Sequence, residues 1–335
     1  MRFRKAAAAA ARLGACALLA ACSGHSRTPL LIYSPHGRDL LSLLERRFEA
    51  ENPDVDVRWL DMGSQDAYDR IRSERANPQA DLWFGGPHVL FQRAARESLL
   101  TTTSGDSLWV PVYLTPAVIA YNAQVLDSAS APHDWDDVLD PKWAGKVLIR
   151  DPLASGTMRA IFGMVMERSL RATGDTAAGV RWLRRLDAQT KQYVFNPTLM
   201  TEMLGRREGL ITLWDLPDLM LNIHEGQPLG YTFPRSGTPV IIDAIAVVRG
   251  ARHADLARRF AAWVRTPAIQ LLAAREALRI PSRTDLPVDS LPPWVRDVES
   301  RMVTEPMDWN LLERDGAGWM QYWDRNIRNS GHRSR

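Results

Sequence analysis

From Leu30 onward the chain alternates between two hydrophobic patterns, and this alternation restricts the fold more than any other feature. "PLLIYS" (29–34) is a short, continuous apolar run, the mark of a buried strand. "GRDLLSLLERRFEAENP" follows, with Leu40, Leu41, Leu43, Leu44 and Phe48 on one helical face and a stop at Asn52-Pro53. "DVDVRWLDM" then alternates like a strand, "SQDAYDRIRSERANP" is helical, and "ADLWFGG" is a third strand. Parallel neighbours need crossovers, so this strand–helix–strand–helix–strand order predicts an α/β fold, a mainly parallel sheet flanked by helices.

The rest of the chain continues the same logic. "SLWVPVYLTPAVIAYN" (107–122) is long, extended and apolar, with interspersed prolines. "DWDDVLDPKWAGKVLI" leads into a strand, "TAAGVRWLRRLDAQT" is a helix, and "REGLITLWD" is a turn and strand. A second extended apolar segment, "YTFPRSGTPVIIDAIAVVRG" (231–250), precedes the helical stretch "HADLARRFAAWVRTPAIQLLAARE". The two extended segments flank a central α/β block, which marks them as crossings between two lobes. The expected division is lobe 1 from 30–112 and 241–285, lobe 2 from 113–240, and a C-terminal helical segment, 286–335, packed on a lobe through Trp294, Trp309, Trp319 and Trp323.

Ligands of open parallel sheets sit beyond the carboxyl ends of the strands. Ser34 and His36 follow the first strand, Gly63-Ser64 the second, and Gly85-Gly86 the third. In the central block, "VLIRDPLASGTMRAIFGMV" (147–165) passes from strand to helix through Ser155-Gly156-Thr157. "GLITLW" brings up Trp214-Asp215, and "TPVII" is followed by Asp243. Small residues at a helix N-terminus present N–H donors to an anion. The same residues also serve as ordinary N-caps and tight-turn residues, and a Trp there is either core or ligand wall. Convergence on one edge of the fold makes these residues the candidate ligand-binding set.

The first residues, "MRFRKAAAAAARLGACALLAACSG", have the form of a targeting segment: a basic start, then an apolar run too short to span a bilayer. The expected leader is 1–21 and the tether 22–29. "LAAC" resembles the lipobox of bacterial lipoproteins, which implies cleavage before Cys22, lipidation of its thiol, and a protein exported to the cell envelope and anchored there. Removing the leader takes away Arg2, Arg4, Lys5 and Arg12 and no acid, so the formal charge falls from +3 to about −1. The isoelectric point near 9.0 therefore belongs largely to the uncut chain and gives no argument for nucleic acid. Only Cys22 would remain, so no internal disulfide holds the mature chain.

Motifs that carry chemistry are missing: no G-x-S-x-G, no phosphate loop ending in GK[ST], no G-x-G-x-x-G and no H-E-x-x-H. His36, His88, His133, His224 and His253 lack metal-ligand spacing. The expectation is a protein that is not an enzyme, with no catalytic residues, cofactor or metal.

Six stretches, "IYSPHGRDLLSLLERRFEAENP", "WLDMGSQDAYDRI", "ANPQADLWFGGP", "DWDDVLDPKWAGKV", "DPLASGT" and "RIPSRTDLP", together resemble extracellular substrate-binding proteins of ABC importers. The similarity is to the subgroup of ferric-iron, phosphonate, sugar-phosphate and thiamine binders. It implies a type II periplasmic-binding fold, a monomer with its ligand between two lobes, and closure that signals to a membrane permease. By position it assigns Ser34, Gly63-Ser64 and Gly85-Gly86 to the first lobe's ligand-facing turns, and Ser155-Gly156-Thr157 and Trp214-Asp215 to the second's. Ferric binders of this group carry adjacent tyrosines just after the strand equivalent to "GLITL"; this chain has Leu213-Trp214-Asp215-Leu216 there. Hard Fe(III) wants several anionic oxygens. The resemblance therefore favours a phosphorylated or phosphonate-like solute, with Asp215 or Asp243 on its hydroxyl or amino groups. The alternatives are iron or an iron complex, a cationic solute such as thiamine or a polyamine, and a membrane-tethered enzyme or sensor using the same cleft.

Overall fold

The computed structural model describes residues 27–333; the leader, Cys22 and most of the tether lie outside the described residues. The first lobe opens with β1 (Thr28–Ser34), α1 (Arg38–Glu51), β2 (Val55–Asp61), α2 (Ser64–Ser73), β3 (Leu82–Pro87) and α3 (His88–Arg96). β1 pairs in parallel with both β2 and β3, with α1 and α2 as the helical crossovers that parallel neighbours need. Short β4 (Leu100–Thr101) leads to β5 (Val110–Asn122), which enters the second lobe. That lobe contains β6 (Val147–Arg150), α4 (Gly156–Thr173), α5 (Ala177–Gln189), β7 (Thr190–Val194), α6 (Pro197–Gly205), β8 (Ile211–Asp215), α7 (Leu216–His224) and β9 (Leu229–Thr232). β10 (Val240–Val248) returns to the first lobe, followed by α8 (Ala254–Val264), α9 (Pro267–Glu276) and β11 (Ile280–Pro281). The chain finishes with α10 (Pro293–Arg301), α11 (Trp309–Asn326) and α12 (Ser330–Arg333).

One strand path, β2-β1-β3-β10-β5-β8-β6-β7, runs through both lobes. The outer pairs are parallel, whereas β5 and β10 are antiparallel to each other and to their other neighbours. The reason is the direction of travel: the chain leaves lobe 1 along β5 and comes back along β10. β5 pairs with β10 as far as Pro116, and from Ala117 onward with β8. At that switch the strand changes its partner from β10 to β8.

Apolar residues cover both faces of each half of the sheet. In lobe 1, Leu30, Ile32, Leu44, Phe48 and Phe260 fill one side, and Tyr33, Tyr68, Trp83 and Phe91 the other. In lobe 2, Trp135, Ile149, Phe162, Leu186 and Trp323 fill one side, and Val118, Leu148, Trp214 and Leu219 the other. The stretch 253–276, read as one helical run, is two helices, because Pro267 starts a new one after Thr266. The extended segment 231–250 is interrupted between β9 and β10, where Pro234, Gly237 and Pro239 cannot continue a ladder.

The C-terminal elements touch both lobes. α11 packs on α4, with Trp323 fully buried and Leu312 against Gly163. Its first turns reach α3 of lobe 1: Glu313 pairs with Arg96 and lies 3.7 Å from Arg93 Nε, and Trp309 meets His88 edge to face at 5.1 Å.

Candidate functional site

The carboxyl ends of the strands of the two lobes face one another across a cavity of about 330 Å³. Its floor is laid by Thr115, Ile241 and Asp243 on the two crossing strands. Ten of the twelve residues named from the sequence line it: His36, Gly63, Ser64, Gly86, Ser155, Gly156, Thr157, Trp214, Asp215 and Asp243. Ser34 and Gly85 stand behind the wall. The fully buried Ser34 uses Oγ to accept from the His36 N–H at 3.2 Å, and Gly85 lies under the His36 ring, where a Cβ would fall 2.5 Å from Nε2.

Local chemistry explains how these residues arrive. Gly85 and Gly86 both take φ near +97° and +96°, a conformation side chains disfavour, and the turn directs the Gly86 N–H to Asp243 Oδ1 at 2.9 Å. Asp243 sits at a register shift of β10 against both neighbours, a bulge that re-aims its side chain; Thr115 Oγ1 donates to Oδ2 at 2.5 Å. Ser155 is the N-cap of α4, its Oγ accepting from the Met158 N–H at 3.2 Å. The ordinary capping role is thus real, yet it leaves the N–H groups of Gly156 and Thr157 without a partner among the described residues. Gly156 also meets the opposite lobe, where a Cβ would fall 2.7 Å from Pro87 Cδ. Asp215 caps α7 by accepting from the Asp218 N–H at 3.1 Å.

The sequence reading missed the charged residues that set the electrostatics. Arg150, at the end of β6, is 7 % exposed and has no ion pair among the described residues; Nη1 donates only a long bond, 3.4 Å, to the Val194 carbonyl. Burial lowers its pKa against the pull of Asp151 and Asp66. Its guanidinium lies over the Phe195 ring at 5.2 Å. Arg279, just before β11, donates from Nη2 to Asp218 Oδ1 at 2.8 Å. Burial alone would lower its pKa, but the carboxylates of Asp218, Asp215 and Asp243 outweigh that and raise it. Asp61 and Asn196 complete the polar lining. Arg150 stood inside the stretch read as an anion turn, and Arg279 opens "RIPSRTDLP"; only their charge within buried segments signalled them.

Burial, and then the neighbouring Asp218, push Asp215 well above the ordinary carboxylate range, against the pull of Arg279. A raised folded-state pKa means that the native protein holds the proton more tightly than the unfolded chain. The resulting stability is fully present below the ordinary pKa, about 4, and is lost as pH rises through the folded value. Asp215→Asn keeps the cap without the charge. Ligand-free protein carrying it is expected to melt above wild type at pH 7, with the gap narrowing as pH falls toward about 4. A variant melting below wild type at pH 7 would show that the charge stabilises the fold.

Among the described residues, no group of three His, Cys, Asp or Glu side chains is placed to hold a metal ion, and no helix is long and apolar enough to cross a membrane.

Residues 91–303 match the profile of the bacterial extracellular solute-binding protein family. A probable ABC transporter periplasmic-binding protein of Sinorhizobium fredii is 24% identical over 321 residues, 89% of this chain and 86% of that protein. A putative 2-aminoethylphosphonate-binding periplasmic protein of Salmonella typhimurium is 24% identical over 248 residues, 69% of this chain and 71% of its own. Solved structures share the fold, two of them as follows. The periplasmic binding protein AfuA from Actinobacillus pleuropneumoniae, with exogenous fructose-6-phosphate bound, superposes with a TM-score of 0.76 at 22% identity, covering 90% of this chain and 99% of that one. A ferric binding protein from Campylobacter jejuni gives 0.73 at 17% identity, covering 88% and 98%. The fold is the two-lobed type II periplasmic-binding fold.

Proposed function

The chain belongs to the family of bacterial extracellular solute-binding proteins, and from that premise we propose that it captures a small solute bearing a phosphate or phosphonate group for an ABC importer. One observation carries the ligand class: Arg150 is a buried guanidinium without an ion-pair partner among the described residues, and it lines the same cavity as the unspent N–H groups of Gly156 and Thr157. A desolvated cation of this kind is costly until an anion joins it, and a guanidinium fork with helix N-terminal N–H groups matches a phosphoryl group. Ser64 and Thr157 add hydroxyl donors on the two sides of the cleft. Relatives whose names carry 2-aminoethylphosphonate, and a fold neighbour holding fructose-6-phosphate, agree with this class.

The ferric alternative fits the donor set less well. After β8 the chain offers Trp214-Asp215 instead of phenolates, and Asp215 and Asp243 already accept from backbone or hydroxyl donors. Delivery of the solute to a membrane permease, anchoring through a lipid on Cys22, and a monomeric state are parts of the same proposal. Mass spectrometry of the membrane form tests the anchor, and an unmodified Cys22 in a freely soluble protein ends it.

A soluble form beginning at Ser23 tests the ligand class by thermal shift against aminoalkylphosphonates, sugar phosphates, phosphate, ferric citrate, thiamine and polyamines. A true ligand at about a hundred times its Kd stabilises by roughly 2.7 kcal/mol. A response confined to ferric compounds, or to thiamine and polyamines, defeats the anion reading. Ser155→Ala combined with Thr157→Ala is expected to weaken the anionic ligand about tenfold or more; unchanged affinity removes this turn from the site.

A further inference from the structure

Among the described residues, Phe195 is the large apolar side chain most open to solvent, 66 % exposed, and it lines the cavity. Singly exposed apolar residues are ordinary on a protein surface. What sets this one apart is its neighbour, the buried Arg150, whose guanidinium carbon lies 5.2 Å from the centre of the ring. A cation within about 6 Å of a ring centroid is drawn to the π face.

The backbone around Phe195 is fixed on both sides. Val194, the last residue of β7, pairs with Arg150 of β6, and its carbonyl accepts the Asp151 N–H at 3.0 Å. On the other side Asn196 caps α6, its side chain accepting from the Leu199 N–H at 2.9 Å, and Pro197 opens that helix. Phe195 thus stands between a paired strand and a capped helix, one residue beyond the cross-strand partner of Arg150.

The two buried arginines of the cavity are held in different ways. Arg279 is held by a carboxylate: Nη2 donates to Asp218 Oδ1 at 2.8 Å, which spends a donor and offsets the charge. Arg150 has only the distant Val194 carbonyl, 3.4 Å from Nη1, and the Phe195 ring. A ring attracts the cation without offering a lone pair to its N–H groups, so the planar fork of Arg150 keeps its donors for something else. The ring also keeps water from part of the guanidinium, and a charge with less water around it interacts more strongly with an arriving anion.

We propose that Phe195 is a positioning residue of the anion site: it holds and shields the Arg150 guanidinium and leaves the N–H fork to the solute. This role rests on the anion-binding reading above. Calorimetric titration of the soluble form beginning at Ser23 tests it, with 2-aminoethylphosphonate and fructose-6-phosphate as the probes. Phe195→Ala is expected to weaken a bound probe about threefold to tenfold. Its ligand-free melting temperature should stay at the wild-type value, because most of the ring is already in water. Phe195→Trp keeps a π face and is expected to bind as wild type does or better.

A double-mutant cycle separates holding the arginine from touching the solute. In an Arg150→Ala background, Phe195→Ala is expected to change affinity by less than about twofold, since no guanidinium remains to be held. Thermal shift at millimolar probe reads the weak variants. Wild-type affinity in Phe195→Ala overturns the role and leaves the anion reading standing, with the ring then a contact for another protein. An equal loss in both backgrounds also overturns it, because Phe195 would then act on the solute directly. If neither probe binds the wild type, the anion reading falls and takes this role with it.

Discussion

Replacing Arg150 with alanine is expected to cost at least about 30-fold in affinity for any phosphate- or phosphonate-bearing ligand while leaving the ligand-free fold as stable as before. The first half follows from the energetics of buried charge pairs: removing one partner costs about 2–5 kcal/mol, and every 1.4 kcal/mol is tenfold. The second half follows from how little Arg150 does for the empty protein. Its one hydrogen bond to protein is long, and it carries a desolvated charge with no ion pair among the described residues. Alanine removes that burden together with the stem, so the melting temperature should hold or rise. Arg150→Lys keeps the charge but not the planar fork and is expected to fall between the two. Titration calorimetry with thermal melts of the same samples checks both. A variant that melts lower and binds normally would make Arg150 a structural residue and remove the main support for the anion reading.

Trp323→Ala is expected to be the most damaging single change to the fold, at about 3–5 kcal/mol by denaturant unfolding. Trp323 is fully buried in the second lobe and meets Phe162 edge to face at 5.6 Å and Tyr193 at 5.0 Å. The guanidinium of Arg328 lies 5.4 Å from its ring. Deleting the indole opens a cavity between α11 and α4 where rigid neighbours on both sides prevent collapse. Trp323→Phe separates volume from chemistry. The indole N–H is buried without a partner among the described residues, so its loss costs nothing and the phenylalanine variant should be the milder of the two. A small effect from the alanine variant would mean that the last helix is an optional addition to the lobe.

The α/β order was legible because strand and helix leave different periods. Leu40, Leu41, Leu43, Leu44 and Phe48 can share a face only as a helix, and all five are buried in α1. Reading the residues that follow each strand was productive for a topological reason: the ends of parallel strands converge, so sequence-distant turns such as Gly63-Ser64 and Ser155-Gly156-Thr157 meet. Charge was harder to read. Arg150 ends a four-residue strand and Arg279 precedes a two-residue one, both too short to show periodicity, and an arginine in sequence looks solvated until its neighbours are placed. Asp218, which the sequence reading did not single out, stands in the first turn of α7, where an acid suits the helix dipole, and is also the partner of Arg279. Ser34 and Gly85 show the limit of the rule. They follow or end strands as the others do, but His36 covers them, its ring over Gly85 and its backbone N–H on the Ser34 hydroxyl.

The place of β10 in the strand order has a consequence for how the protein is made. Synthesised at 240–248, it lies between β3 at 82–87 and β5 at 110–122. Until it emerges, the first lobe has an open gap at its centre, with Phe84 and Val112 lacking the side chains of Ile245 and Val247 that complete their cluster. The second lobe waits longer still, because Met320, Trp323 and Ile327 come after every strand described and belong to its core. Neither lobe can complete its core from its own first half alone, so the order of synthesis postpones both cores. Members of an extracellular family have to cross a membrane, and a strand order that postpones both cores suits that passage.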